Sequence, residues 1–242
     1  MRVLLREASI LVLDKPAGTA AWPFSEDADD GPARGQPVGL RDSDSSWRPI
    51  YPLEDEASGL AVLARGAAAD ILDAQRETGE FTVRFLALVR VAGPQSAGSI
   101  DLPLAVRDLT NPRVRIDPAH GSPARTEWSL LDAYAGFALL DCRPHPLLRH
   151  QVRAHLAAAG MPPAVDPLYG GGLELRLSSF KAGYRPGRHG PERPLIARVS
   201  IHAAELAFTH PDGRGLTFSA EPPRDFRAAV HQLGKYGRLG GV

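Results

Sequence analysis

The apolar residues of this chain come in short runs that glycine and proline turns interrupt, and this feature constrains the fold most. Runs such as residues 10–13 and 85–89 are far shorter than the roughly 20 residues that a membrane helix needs. A short apolar run that ends in a turn is typical of a strand, above all where β-branched and aromatic residues are frequent. The pattern therefore predicts a sheet-rich protein that does not span a membrane.

Turn signals also place the elements along the chain. Strands are predicted in ILVLDKPAG at 10–18, at 60–65, at 81–91, in a hairpin over 126–144 and on both sides of the turn PDGRG. Helical spacing predicts helices at 67–80 and 149–160, closed by Gly79 and Gly160. Because hairpins connect most of these strands, we expect an α+β fold with a mainly antiparallel mixed sheet and helices packed on it.

Length and composition fit one globular domain. The chain has 242 residues, of which 43% are hydrophobic, and a chain of this size buries a large core. We expect one domain over residues 1–235, a polar loop insertion at 23–48 that contains the acidic stretch SEDADD, and a flexible tail at 236–242. The N-terminal residues lack the features of a signal peptide, so a cytoplasmic protein is expected.

Cysteine and histidine usage argues against a disulfide and against a metal site. Cys142 is the only cysteine, and His145, His150 and His155 follow at intervals of five, which point apart on a helix. No glycine-rich nucleotide fingerprint occurs, and Ser58 lacks the glycine elbow of a serine hydrolase. Neither a metal nor a cofactor is expected.

Charge is balanced overall but uneven along the chain. The sequence has 28 basic and 28 acidic residues, so net charge alone does not indicate a nucleic-acid partner. One basic window runs from Arg176 to Arg198, and a second cluster contains Arg143, Arg149 and Arg153. Solvated surface arginines would explain either cluster. Because guanidinium groups bind phosphate oxygens in pairs, phosphate binding is the competing hypothesis.

Three consecutive carboxylates, Glu54, Asp55 and Glu56, stand between apolar segments. Such a cluster is usually a solvated turn. A functional role would require one of the carboxylates to face a pocket and to be held ionised by a cation.

Four segments carry motifs in chain order. ILVLDKPAG contains K-P-x-G, PLEDEASGLAVLAR (52–65) is similar to H-R-L-D-x-x-T-S-G-L, and VSIHAAELAFTHP (199–211) contains L-H-A-like and F-x-H-P positions. LLRHQVRAHLAAAGMPPAVDPLYGG (147–171) is the most specific, since it is similar to G-R-[ST]-H-Q-[IL]-R-x-H-L and to the following G-x-P-x-x-x-D-x-x-Y-G. Together they resemble the RluA type of RNA pseudouridine synthase. The resemblance implies the fold of the pseudouridine synthase catalytic domain. It also implies an enzyme that isomerises uridine in ribosomal or transfer RNA, as a monomer without cofactor or metal.

The resemblance also assigns roles to positions. In the family, an aspartate of H-R-L-D attacks a nucleotide that is flipped out of the RNA, an arginine of H-Q-[IL]-R pairs with that aspartate, and a tyrosine packs on the target base. The matching residues here are Glu54, Arg153 and Phe85. RNA contacts are expected from basic and polar residues of the two clusters, namely Arg149, His150, Gln151, Arg185 and Arg188.

The positions around the carboxylate depart from the family pattern. Glu54 replaces the aspartate, Pro52 replaces an arginine, and Phe85 lacks the hydroxyl of the tyrosine. Three hypotheses follow: an RNA pseudouridine synthase with a divergent site, a noncatalytic RNA-binding member of the same fold, and carboxylate catalysis on another substrate. In each catalytic case we expect Glu54 and Arg153 to share one cleft within salt-bridge reach.

Overall fold

The computed structural model describes residues 1–19, 46–93, 95–106, 113–185 and 191–237. The strands of this part are β1 Arg2–Arg6, β2 Ile10–Lys15, β3 Arg48–Pro49, β4 Ser58–Ala64, β5 Thr82–Arg90, β6 Ala97–Asp101, β7 Arg125–Tyr134, β8 Phe137–His145, β9 Ile201–Thr209 and β10 Gly215–Ser219. The α-helices are α1 Ala67–Thr78, α2 Gln151–Ala158 and α3 Arg224–Tyr236, and a single 3₁₀ turn covers Leu177–Ser179.

The strands form one mixed sheet in the order β1-β2-β4-β9-β5-β8-β7-β6, with β10 on β9 and β3 on β4. Most neighbours pair antiparallel, and the exception within the described residues is the short parallel contact of β4 with β9. The prediction of an α+β fold with a mainly antiparallel mixed sheet is therefore confirmed. The β7–β8 hairpin turns at Gly136, whose φ of 75° is a conformation that glycine adopts without strain.

Helix α1 forms where the sequence places small and apolar residues at helical spacing. Ala68, Ala69, Leu72 and Gln75 are buried against the sheet, and Gly79 ends the helix in the left-handed conformation while its N–H donates to the carbonyl of Gln75. The amide of Gln75 extends this anchor, because it donates to the carbonyl of Thr209 at 2.7 Å and accepts from the same residue's N–H at 2.9 Å. The helix is thus fixed to the end of β9.

Two hydrophobic clusters make up most of the core. The larger one packs α1 and α2 against the central strands and includes the stacked rings of Phe81, Phe208 and Phe218. The second lies under α3, where Phe226 and Leu233 contact the cluster that contains Leu88. Helices therefore cover the sheet at two separate places, as expected for this architecture.

Some elements were not expected from the sequence. Strands β1 and β6 are short and mostly exposed, so they give a weak apolar signal. Helix α3 buries Phe226, Ala229 and Leu233 at helical spacing and is strongly amphipathic, a pattern that the sequence prediction overlooked. Residues 23–45 of the polar loop insertion lie outside the described residues, whereas Trp47 is 8% exposed and packs on Leu63. The structured core thus resumes before residue 48. The expected tail likewise overlaps α3, which continues to Tyr236.

None of the helices among the described residues is long and apolar enough to cross a membrane.

Gly59 lies where the backbones of β4 and β9 approach each other closely, at their parallel pairing. Its φ is +113°, and a Cβ atom there would lie 2.2 Å from the backbone oxygen of Ala203. Both the conformation and the contact exclude any side chain, because the obstacle is backbone and cannot rotate away.

We expect Gly59→Ala to lower the free energy of unfolding by about 3 kcal/mol or more, since backbone strain and a buried clash add together. Gly213→Ala is the matched control, because its φ is +93° but no atom lies within 4 Å of the added Cβ. That control should cost only about 1 kcal/mol. Urea denaturation measures both, and equal losses would show that the contact with Ala203 contributes nothing.

Candidate active site

A small crevice brings together the three residues to which the motifs assign catalytic roles. Glu54 enters it from the loop before β4, Phe85 from β5 and Arg153 from α2. The remaining lining is mainly apolar and is contributed by Tyr51, Pro52, Pro144, Leu147, Leu148, Gln151, Val152 and Ile201. Residues that are far apart in the sequence thus meet at one point on the sheet.

The loop that carries Glu54 is held by a buried lysine. Lys15 is 0% exposed, and its Nζ donates to the carbonyl oxygens of Ala57 at 2.7 Å, Asp55 at 3.0 Å and Thr19 at 2.9 Å. The N–H of Gly18 adds a bond of 2.7 Å to the Asp55 carbonyl. Burial lowers the pKa of Lys15 to about 8, although nearby carboxylates favour its charge. The K-P-x-G turn therefore fixes the backbone of residues 54–57.

Arg153 is held equally firmly on the opposite side. It is 1% exposed, and Asp166, which is 0% exposed, accepts hydrogen bonds from its Nε at 2.8 Å and its Nη2 at 2.9 Å. The guanidinium also lies 5.2 Å from the ring centre of Tyr169. Burial opposes the positive charge most strongly, but the hydrogen bonds to Asp166 and the charges of Glu54, Asp166 and Glu56 together outweigh it and raise the pKa of Arg153. The arginine is therefore charged, and its orientation is fixed.

The third nitrogen of this guanidinium points toward the carboxylates. Nη1 of Arg153 is buried and has no hydrogen-bond partner, and it forms an ion pair with Oε2 of Glu56 at 3.9 Å. The expectation of a direct ion pair with Glu54 is wrong. Among the described residues, the carboxylates within 4 Å of the Arg153 guanidinium are those of Glu56 and Asp166. The side chains of Glu54 and Arg153 still line the same crevice, and Glu54 is partly buried there.

The pKa of Glu54 reflects this position. Burial raises it, while the charge of Arg153 and the backbone N–H of His150 lower it and Glu56 raises it further. The balance is an upward shift. Tyr51, directly beside it, keeps its proton because burial raises its pKa, and its hydroxyl donates to the carbonyl of Leu60. Glu54 is thus the titratable carboxyl of the crevice, and its charge depends on its neighbours.

Phe85 supplies an aromatic ring to the same crevice. It is 6% exposed and lies in β5 beside Cys142 and Ala203 of the neighbouring strands. Its ring is the apolar surface on which a planar group could pack. The crevice offers no hydroxyl from this strand position.

His150 and Gln151 are placed in structural roles. His150 has a φ of 54° and contacts the hydroxyl of Tyr169 through Nδ1 at 3.0 Å, and burial lowers its pKa to about 3. Gln151 is 2% exposed, and its amide is bonded to the N–H of Leu148 and the carbonyl of Arg125. The amide of Gln151 therefore orders the start of α2. Because the side chains of His150 and Gln151 are both buried, the proposal for RNA contacts rests on the arginines.

Several basic side chains of the window from Arg176 to Arg198 interact with other groups of the protein. Arg198 pairs with both oxygens of Asp225 at 2.8 and 2.9 Å, Arg176 pairs with Glu174, and Lys181 lies over the ring of Tyr236 at 4.4 Å. Arg185 and Arg193 are exposed, whereas Arg188 lies outside the described residues. The net positive charge of the window thus overstates the charge that is open to a ligand.

A serine and a histidine also meet near the site, but they are inaccessible. Oγ of Ser58 lies 3.0 Å from Nδ1 of His202, and Nε2 of His202 lies 2.9 Å from the carbonyl of Ala220. Ser58 and His202 are both 0% exposed. Because the Ala220 carbonyl can only accept a hydrogen bond, Nε2 carries the proton, and Nδ1 of the neutral ring accepts from the Ser58 hydroxyl. The pair joins the start of β4 to β9 and is not a hydrolase dyad.

Sequence reasoning missed the residues that support Arg153. Asp166 and Tyr169 match the motif D-x-x-Y-G, but their function emerges only from contacts. The Tyr169 hydroxyl accepts from the Val114 N–H at 2.8 Å and donates to the Val114 carbonyl at 3.1 Å. Arg113 lies 5.2 Å from the Tyr169 ring centre and is exposed. A basic residue of a distant segment thus lies close to the crevice.

We expect Asp166→Asn to lower the free energy of unfolding by about 3 kcal/mol, because it leaves the buried charge of Arg153 without compensation. Asp225→Asn is the control, since Arg198 and Asp225 have the same paired geometry but side chains 15% and 37% exposed. Solvent screening should keep that loss near about 1 kcal/mol or less. Denaturant unfolding of both variants checks this, and equal losses would contradict it.

The chain resembles known proteins over most of its length. A sequence model of the family described as RNA pseudouridylate synthase matches residues 9–158. The chain is 31% identical over 189 residues to an uncharacterized RNA pseudouridine synthase of Chloroflexus aurantiacus, with 76% of this chain and 52% of that protein covered. It is 30% identical to ribosomal large subunit pseudouridine synthase D of Xanthomonas campestris, with 96% and 69% covered.

A third relative is ribosomal large subunit pseudouridine synthase C of Escherichia coli K12, which is 31% identical and has 66% of its length covered by 92% of this chain. The chain therefore spans between half and about two thirds of the length of these relatives. Two human structures share the fold. RNA Pseudouridylate Synthase Domain Containing 4 has a TM-score of 0.65 at 18% identity, with 96% of this chain and 92% of that chain covered. Domain Containing 1 has a TM-score of 0.61 at 20% identity, with 91% and 83% covered.

The four motifs predict the same family as the sequence model, and the human structures have the same fold. The model match covers more than half of the 242 residues. This chain belongs to the RNA pseudouridylate synthase family, as its RluA-type motifs predict.

Proposed function

We propose that this protein isomerises uridine in RNA to pseudouridine without a cofactor, with Glu54 in the place of the family's aspartate. One observation carries the proposal: a carboxylate, a buried arginine with an unpartnered Nη1 and an aromatic ring line the same crevice. The Glu54 carboxylate attacks C1′ of the sugar as the glycosidic bond to N1 of the base breaks. The detached base turns, its C5 bonds to C1′ as the carboxylate leaves, and the base loses the C5 proton and takes up one at N1. Lys15 and Asp166 position the two charged groups for this step.

The target nucleotide enters the crevice by flipping out of the RNA, since its reacting atoms are shielded while it is stacked. The ring of Phe85 and the apolar side chains of Leu147 and Ile201 form the surface against which the base packs. The crevice supplies few polar groups, so the charge of Arg153 acts mainly on the carboxylate. An opposite charge at short range favours the ionised form that a nucleophile requires.

The substitution of aspartate by glutamate moves the carboxylate by one methylene. A misplacement of about 1 Å can cost on the order of a hundredfold in rate. The loop clamp of Lys15 and the partial burial of Glu54 limit the freedom of the longer side chain. These contacts favour the catalytic hypothesis over a noncatalytic RNA-binding role, because a merely binding protein has no need to hold a buried carboxylate beside a buried arginine.

RNA binding is proposed to use arginines of the two basic clusters together with Arg113. Arg113, Arg149 and Arg185 are the members in the described residues, and Arg188 remains in the proposed set from the sequence. Arg113 is added because its guanidinium lies over Tyr169, whose ring also contacts Arg153. We further propose that the protein acts as a monomer in the cytoplasm, on ribosomal or transfer RNA.

Glu54→Gln should lower pseudouridine formation by on the order of a thousandfold or more, because the amide keeps the size but loses the nucleophilic charge. Glu54→Asp keeps the charge and should remain within about a hundredfold of wild type. Mass-spectrometric detection of pseudouridine in a uridine-containing RNA measures both. A fully active Glu54→Gln variant would refute the nucleophile assignment, and an inactive but folded wild type would favour the noncatalytic hypothesis.

RNA affinity should fall steeply with salt, and Arg113→Gln should reduce the slope of log K against log salt by about 1, since one phosphate contact is lost. Arg214→Gln is the matched control. Arg214 lies in the turn between β9 and β10, where its carbonyl accepts from the N–H of His210. Ile201, the first residue of β9, lines the crevice, and the length of β9 separates the two by about 30 Å. Fluorescence anisotropy at several salt concentrations checks this. Equal slopes for Arg113→Gln and wild type would exclude a phosphate contact.

A further inference from the structure

One nitrogen of the Arg153 guanidinium has no hydrogen-bond partner. Two carboxylates of the neighbouring loop can reach toward it. Asp166 occupies Nε and Nη2, so the unpartnered nitrogen is Nη1. Glu54 and Glu56 are two residues apart on the loop that Lys15 clamps. Oε2 of Glu56 lies 3.9 Å from Nη1, whereas Glu54 lines the crevice beyond the ion-pair distance.

We propose that Glu56 is a positioning residue of this site, which interacts with Nη1 of Arg153 in the absence of RNA and so competes with Glu54 for that guanidinium. The inference rests on the proposed function, in which Glu54 is the nucleophile. Glu56 acts through Arg153 and does not itself react with the nucleotide. The site is therefore held in a resting arrangement in which the arginine is shared.

The exposure of Glu56 makes this competition reversible. Its side chain is 54% exposed, against 1% for Arg153, so solvent screens the pair and little free energy holds Glu56 in place. A phosphate that approaches the mouth of the crevice repels Glu56, because both are negative. Displacement of Glu56 frees Nη1 for Glu54, and the nucleophile gains its cation when RNA is present.

The charged, titratable and polar groups that act on Glu54 come from several elements. They are Lys15 of β2, Arg153 of α2, Tyr51 and Glu56 of its own loop, Tyr169 near Asp166, and the backbone N–H of His150. Within this set Glu56 is the carboxylate that raises the pKa of Glu54, while Arg153 lowers it. Removal of the Glu56 charge acts twice in the same direction: a repulsion disappears, and Arg153 becomes fully available. The pKa of Glu54 should therefore fall.

The test compares Glu56→Gln with Asp55→Asn, which removes the same charge one residue away. Asp55 is exposed and is not within 4 Å of Arg153. The pKa of Glu54 is measured in the RNA-free protein by NMR titration of ¹³C-labelled glutamate, with Glu54→Gln to assign its signal. We expect Glu56→Gln to lower this pKa by about half a pH unit or more, and Asp55→Asn to shift it by less than half as much.

Activity gives the second readout. Because a lower pKa keeps Glu54 ionised in more acidic solution, the acid limb of the kcat/KM profile, which reports the RNA-free enzyme, should move to lower pH in Glu56→Gln by the same amount. An unchanged titration, or equal shifts in both variants, overturns the proposal. Loss of activity at every pH in a folded Glu56→Gln variant also overturns it, because Glu56 would then be a reacting group.

The outcome separates this inference from the proposed function. If the wild type forms no pseudouridine, the proposed function fails, but the NMR titration still decides whether Glu56 competes for Arg153. If the wild type is active and the titration shows no shift, the positioning role fails alone. Circular dichroism confirms that each variant is folded before either result is used.

Discussion

Burial of the Arg153 charge is the constraint on which the arrangement of the site depends. A guanidinium that is 1% exposed is stable only if other groups replace its lost water. Asp166 does so through two hydrogen bonds. The ring of Tyr169 covers one side of the guanidinium. The same tyrosine is tied to Val114 and His150, so α2, the segment after it and a distant loop are ordered around one charge.

The opposite wall of the crevice is held through hydrogen bonds to its backbone. Lys15 gathers carbonyl groups of the 54–57 loop, and Gly59 permits the close approach of β4 to β9 directly after it. The buried contact between Ser58 and His202 continues this attachment. A nucleophilic carboxylate must be placed to within a fraction of an ångström, and a loop with many fixed backbone groups supplies that precision.

The crevice departs from its family mainly in the groups nearest the reacting atoms. A glutamate stands for an aspartate, a proline for an arginine and a phenylalanine for a tyrosine, while Arg153, Asp166, Tyr169 and the lysine of the first motif are retained. The supporting framework is thus kept and the contact surface is altered. Under the proposed function, this distribution keeps the framework that positions Glu54 and changes the surface that would meet the nucleotide.

The sequence alone determined the fold class, because hydrophobic alternation and turn residues are local properties. The periods around β5, α1 and the β7–β8 hairpin predicted those elements within one to three residues, and the spaced motifs identified Glu54, Phe85 and Arg153 as one site. Strand β1 escaped because none of its residues is fully buried, whereas α3 was overlooked although it is strongly amphipathic and buries Phe226, Ala229 and Leu233 at helical spacing. Only the tertiary structure decided which charges are available. It paired Arg198 with Asp225, enclosed Gln151 in the start of α2, and placed Glu56 within an ion-pair distance of Arg153 where the motif indicated Glu54. Electrostatic partners are set by distances of a few ångströms between residues far apart in the chain, and sequence spacing carries no information about those distances.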